Sequence, residues 1–216
     1  MIPLRAWRSC DLDTIKVAKG TYKPTASPGR NPYNSVLSEQ TFYLPDSVVI
    51  LGGYPSGGGN RSIPDNATRL TSTVGADMVK IVRVSNVLID GVIFDKRGIF
   101  ASESNFSVKN CVVQDVYQVG SPITLNNCNA EFVNSFFVNN QGSDFTSTFR
   151  QIAGTLKYTN LVFAKNINRG FGGSSVWMEQ GGYASFDNCT FFGNRTNFGG
   201  AIQSNSGAAK IDVLNC

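Results

Sequence analysis

A chain of 216 residues with a formal net charge of +4, no histidine and five cysteines excludes several kinds of chemistry. Without imidazole there is no Ser-His-Asp or Cys-His catalysis and no histidine-ligated metal; an odd cysteine count without a CxxC pair argues against a disulfide framework or a zinc site. Lys and Arg are scattered rather than gathered into a stripe that would follow a phosphate backbone, so nucleic acid is not an expected partner, and no run approaches the ~20 apolar residues of a membrane-spanning helix.

In chain order, the opening MIPLRAWRSCDLD has no long apolar stretch of the kind a secretory signal carries. Residues 1–13 are expected to be the remnant of an N-terminal cap, 14–83 a set of irregular first strands with long loops, and 84–216 regular repeats cut off at the C-terminus, all in one segment. IKVA at 15–18, TFYL at 41–44, VVILGGY at 48–54 and MVKIVRV at 78–84 read as strands. Lys16 and Lys80 inside them are expected on an outward face. The connectors PTASPGRNPYNS and PSGGGNRSIPDNAT are expected as surface loops.

From residue 84 the chain repeats. VLIDGVIFDK, FSVKNCVVQDV, EFVNSFFVNN, KYTNLVFAKN and SFDNCTFFGN align on Asp90, Asn110, Asn134, Asn160 and Asn188, and a sixth unit begins at Asn215, with separations of 20, 24, 26, 28 and 27 residues. A period in the twenties with small drift suits one turn of a solenoid whose loops vary while its strands do not. Leu88, Val108, Phe132, Tyr158 and Phe186 lie two residues before the anchor, and Ile93, Val113, Phe137, Phe163 and Phe191 three after it. Each set is expected to stack as a core column, with the anchor at a bend between two short strands. Asn suits such a bend because it tolerates the left-handed conformation, and its amide can bond to the next Asn along the stack. Asn140, Asn166 and Asn194, six residues after their anchors, form a second ladder. The cysteines after anchors, Cys111, Cys189 and Cys216, are expected as small buried thiols rather than nucleophiles. The fold class is therefore all-β, a parallel solenoid with Asn ladders and about seven to eight coils.

For chemistry, Asp95 and Asp115 share the position five after the anchor in adjacent units, with Lys96, Arg97 and Lys109 near in sequence. The position continues as Asn139, Lys165 and Gly193, so a pair of solvated turn aspartates explains it equally. Glu179 beside Trp177, and Asp144, are isolated acids without the second carboxylate of a glycosidase. Trp177, Tyr117, Tyr183 and Phe171 are candidates for stacking on sugar rings, against core or turn packing as the alternative. The glycine clusters lack the GK[ST] of a phosphate loop, and the sequons at Asn66, Asn105, Asn188 and Asn194 follow from Asn and Thr usage.

IKVAKGTYKPT followed by FYLPDSVVILGGY resembles the opening of bacterial secreted right-handed β-helix proteins of the pectate lyase-like superfamily. FVNN, FAKN and FFGN, with GGAI at 199–202, are similar to the repeats of polymorphic outer-membrane proteins, whose passengers are surface adhesins. The resemblance implies a right-handed parallel β-helix that is extracellular or on a bacterial cell surface, structural or adhesive in role and non-enzymatic. Its expected partners are further segments of a larger surface protein, or a chain capping its ends, and a glycan or host surface. The alternative on the same scaffold is a carbohydrate-active module, a polyuronate lyase or glycan binder. There Asp95 and Asp115 would hold Ca²⁺ against a uronate while Lys96 or Arg97 takes the proton. No other cofactor is expected.

Overall fold

The computed structural model describes residues 14–24, 41–72, 77–118, 120–143, 148–170, 172–173, 175–205 and 207–216. The expected cap at 1–13 with Cys10, most of the first connector, Asp144 and Phe171 lie outside these residues. Every regular element among the described residues is a strand, and the strands pair in parallel.

The strands form three sheets of 13, 7 and 4 members. Sheet two runs through Gly20–Tyr22, Thr68–Thr71, Val92–Asp95, Val112–Gln114, Phe136–Val138, Val162–Ala164 and Thr190–Phe192. Sheet three stacks Tyr117–Gln118, Gln141–Gly142, Ile167–Asn168 and Arg195–Thr196. In sheet one two parallel rows run side by side, and the long strands Ile123–Val133 and Phe149–Thr159 belong to both. A strand pairs with its counterpart one repeat later: Val112 with Phe136, Phe136 with Val162, and Val162 with Thr190. The sequence period is thus the hydrogen-bonding period.

Corners recur where the backbone turns left-handed. Gly91, Asn110, Asn134, Asn160, Asn188 and Asn215 have φ between 49° and 73°, and Lys96, Asp115, Asn139, Lys165 and Gly193 between 53° and 72°. A third set, Arg83, Glu103, Asn127, Ala153 and Gln180, spans 50° to 58°. Only the first carries Asn at every corner after Gly91. In the other two, Lys, Glu, Arg, Gln and Ala accept a conformation costly for a side chain with Cβ, with the corner residue's own amide tied to the next repeat, as Asp115 N is to Val138 O at 3.2 Å and Glu103 N to Asn126 O at 2.9 Å.

The core is two facing columns of rings. Phe132, Tyr158 and Phe186 stack at centroid distances of 5.8 and 4.6 Å, and Phe137, Phe163 and Phe191 at 5.2 and 4.8 Å, the last pair only 3° from parallel. Phe149 meets both columns edge-on, 5.1 Å from Tyr158 and 4.8 Å from Phe137. Cys111, Cys128 and Cys189 are buried free thiols, whereas Cys216 is exposed. Burial pushes the Cys111 thiol up to about 12 and Cys189 to about 11, so both stay protonated and inert as nucleophiles.

The first regular unit departs from the sequence alignment by one residue. Lys109 pairs with Asp90 and Val113 with Phe94, so the bend belongs to Gly91, at φ 73°, and not to Asp90. Ile89 and Phe94, 1% and 0% exposed, fill the core in place of Leu88 and Ile93, which are half-buried. A shift of one residue exchanges the two faces of a strand. Glycine holds that corner because a Cβ there would sit 2.5 Å from an Arg61 guanidinium nitrogen and 2.9 Å from Ile63 Cγ1.

Tyr158 is fully buried and its hydroxyl has no hydrogen-bond partner among the described residues. Burying an unpaired hydroxyl costs about 1–3 kcal/mol. Tyr158→Phe keeps the ring stack and should raise the free energy of unfolding by about 1 kcal/mol in urea titration; a loss of stability would show that the hydroxyl is satisfied.

Candidate functional site

The acidic pair expected from the sequence separates at the level of register. Asp95 pairs with Gln114, so Asp115 stands at the level of Lys96, whose amide reaches Gln114 O at 3.2 Å. Asp95 lies in a strand and accepts Thr71 Oγ1 at 3.2 Å beside Arg69 at 3.4 Å. Asp115 is at the corner and accepts Asn139 Nδ2 at 2.6 Å and Gln114 Nε2 at 3.1 Å. The two carboxylates serve different partners, and their expected side-by-side placement is corrected by the register. Lys96 is exposed at the same row of corners, Arg97 bonds the Tyr117 carbonyl at 3.5 Å, and Lys109 pairs with Glu131 at 3.2 Å. Among the described residues no three His, Cys, Asp or Glu side chains gather as metal ligands.

The aromatic candidates divide. Tyr117 is 67% exposed. Tyr183 is half-buried and donates its hydroxyl to Asp212 at 2.7 Å. Trp177 is 7% exposed, which removes it as an open platform for a sugar ring. Its indole N–H donates to Glu179 Oε1 at 2.8 Å, and Arg150 grips the same carboxylate through both oxygens at 2.9 and 3.0 Å. Trp177 belongs to a row across sheet one that runs Tyr43, Lys80, Phe100, Thr124, Arg150, Trp177 and Gln203. Lys80 sits 5.9 Å from the Tyr43 ring centroid and 5.8 Å from that of Phe100. It lies in the same row as Trp177, but only 9% of it is exposed. Within this row the Lys80 cation lies between two rings, and Trp177 is tied through Glu179 to Arg150.

Burial pushes the Glu179 carboxyl up, but the bonds from Arg150 and Trp177 together outweigh it and hold the group below its ordinary value. A depressed carboxylate contributes stability above its unfolded value, about 4.3, and loses it as pH falls through the lower folded value. Wild type should exceed Glu179→Gln by about 2 kcal/mol at neutral pH. The gap should narrow as pH falls below about 4.3, and urea titrations at neutral pH and in acid measure it.

The ladders are the most ordered polar feature. Asn140 and Asn166 are 0% exposed. Asn166 Oδ1 accepts the Asn140 backbone N–H at 3.0 Å and its Nδ2 at 3.1 Å; Asn194 Oδ1 treats Asn166 identically at 2.9 and 3.0 Å. The remaining amide hydrogens go inward, Asn140 to Val113 O, Asn166 to Phe137 O and Asn194 to Phe163 O, at 3.0, 2.9 and 2.8 Å. In the outer ladder Asn160 Nδ2 donates to Asn134 Oδ1 at 3.1 Å, Asn134 to Asn110 at 3.4 Å, and Asn110 to Asp90 Oδ1 at 2.8 Å. A carboxylate only accepts, so Asp90 sets the direction of that ladder. Arg61, from the glycine-rich loop, neutralises it at 3.0 Å and donates to Gly52 O at 2.7 Å. Asp90 therefore ends the ladder rather than bending the chain. Asn188 shares the left-handed corner of this column, with φ 52°.

Sequence reasoning passed over the outward face of sheet two, where Phe136 and Phe192 are 49% and 65% exposed. The signal was present in FF pairs, of which one ring must face out when strands alternate.

Fold and ladders define an all-β protein of stacked parallel strands with asparagine side chains in register. Comparisons with protein-family models, curated proteins and solved structures found no match.

Proposed function

We propose that the chain is a right-handed parallel β-helix of about seven to eight coils, and that it serves as a rigid, adhesive segment of a bacterial cell-surface protein without catalytic chemistry. The carrying observation is the unbroken parallel pairing, whose longest path is eight strands. Strand hydrogen bonds along the stacking axis, two amide ladders and two ring columns all resist bending in the same direction. Function then falls to the outward faces and to the connections, whose variable length accounts for repeats paired 19, 24, 26 and 28 residues apart in sheet two. The polyuronate-lyase alternative draws less support, because Asp95 and Asp115 are out of register and engaged separately.

Two assays test this. On intact cells of the source bacterium the segment should be labelled by antibody and cut by added protease; protection until lysis would overturn the surface assignment. With acidic polysaccharides and calcium, ultraviolet absorbance should show no unsaturated product, whereas steady formation abolished by Asp95→Ala or Lys96→Ala would make the chain a lyase.

A further inference from the structure

Parallel sheets are normally covered on both faces, yet sheet two turns an apolar face outward. Val112, Phe136 and Val162 stand in one register row, and Val138, Ala164 and Phe192 in the next, on the side opposite the buried Val113, Phe137 and Phe163. Across the corner, Tyr117, 67% exposed, begins the sheet-three row that continues through Gln141 to Ile167 and Arg195. The corner between the two sheets carries Lys96 and Lys165, both exposed, and Arg195 is exposed beside them. Of the acids of this region Asp95 is paired with Arg69 and Thr71, while Asp115 accepts from the neutral amides of Asn139 and Gln114 and keeps its charge, so that Lys96, Lys165 and Arg195 leave the border net cationic. The face is thus a ribbed apolar strip with projecting rings and a cationic border.

We propose that this face docks on an anionic phospholipid surface, with Phe136, Phe192 and Tyr117 entering the headgroup boundary and Lys96, Lys165 and Arg195 meeting the phosphates. Aromatic rings favour that boundary, and basic side chains near it are drawn by the surface potential of anionic lipid. The border selects this occupant over a second copy of the same face, which would bring like charges together. The rows of Val, Ala and Ile offer aliphatic surface suited to acyl chains rather than to sugar rings. The proposal goes beyond the rod and adhesion assignment, and the two fail separately, since labelling of intact cells does not depend on these side chains.

The test is co-sedimentation of the whole chain with vesicles. Binding is expected to vesicles containing roughly one-third phosphatidylglycerol in phosphatidylcholine, at least about tenfold weaker to phosphatidylcholine alone, and weakened by added salt. Phe136→Ser with Phe192→Ser should lose about tenfold or more through lost apolar burial, and Lys96→Glu with Lys165→Glu a similar factor through charge. All four side chains are outward, so both variants should melt close to wild type, and either alone suffices if the other fails to fold. Absence of wild-type binding to the phosphatidylglycerol vesicles would overturn the proposal, as would equal binding by the folded variants. So would a dimer in sedimentation that the double Phe variant abolishes while vesicle binding persists, since the face would then be a protein contact.

Discussion

Asn166→Asp should unfold far more easily than wild type at neutral pH, losing about 4 kcal/mol, a large share of a domain's usual ~5–15 kcal/mol. The substitution exchanges one NH₂ for an oxygen in a fully buried site. That oxygen would face the Phe137 carbonyl and Asn194 Oδ1, which now receive hydrogen bonds at 2.9 and 3.0 Å. Two attractive contacts become repulsive, and a charge is buried without a cation. Protonation restores a donor, so the introduced carboxyl is expected to titrate above its unfolded value of about 3.9. The penalty is then small below that value, grows as pH rises, and is complete above the folded value. Urea titrations from about pH 4 to pH 7 should show the variant's deficit widening. Asn134→Asp in the exposed ladder is the control and should cost under about 1 kcal/mol, because water solvates the new charge. Equal costs at the two positions would mean that the buried ladder does not hold the stack together.

Phe163→Ala should cost about 3–5 kcal/mol. Its ring lies between Phe137 and Phe191, at 5.2 and 4.8 Å, with Phe149 at 5.9 Å and Tyr158 at 6.5 Å from the side. Phe137, Phe149 and Tyr158 are held by backbone pairing to the repeats before and after, and Phe191 to the repeat before, so the void collapses little and most of the lost contacts are not recovered. Phe192→Ala, next to a core ring but 65% exposed, should change stability by no more than about 0.5 kcal/mol. Chemical denaturation of the two variants side by side measures the contrast. A large effect at Phe192 would mean that its ring is covered in solution. A small effect at Phe163 would mean that the ring columns are loosely packed.

The sequence by itself determined the strands on either side of the Asn anchors, the repeat, both ring columns from Phe132 and Phe137 onward, and the two asparagine ladders; Thr68–Thr71, Gly98–Ser102, Val176–Glu179 and the short strands of sheet three were not legible in it. The former were legible because a stacked fold turns a spatial neighbour into a fixed sequence offset: like residues recur where they touch. The same rule failed at the first regular unit, where Asp90 resembles Asn chemically but Gly91 is the residue able to turn left-handed against Arg61. One residue of misalignment moved Leu88 and Ile93 into the core and set Asp95 beside Asp115 as a site. Only the tertiary structure decided those points, because register depends on which side chain fits a corner already occupied by a distant loop. It also decided that Trp177 and Lys80 are covered while Phe136 and Phe192 are not. Strand alternation says which way a side chain leaves the sheet, whereas its exposure depends on what else has packed over that face.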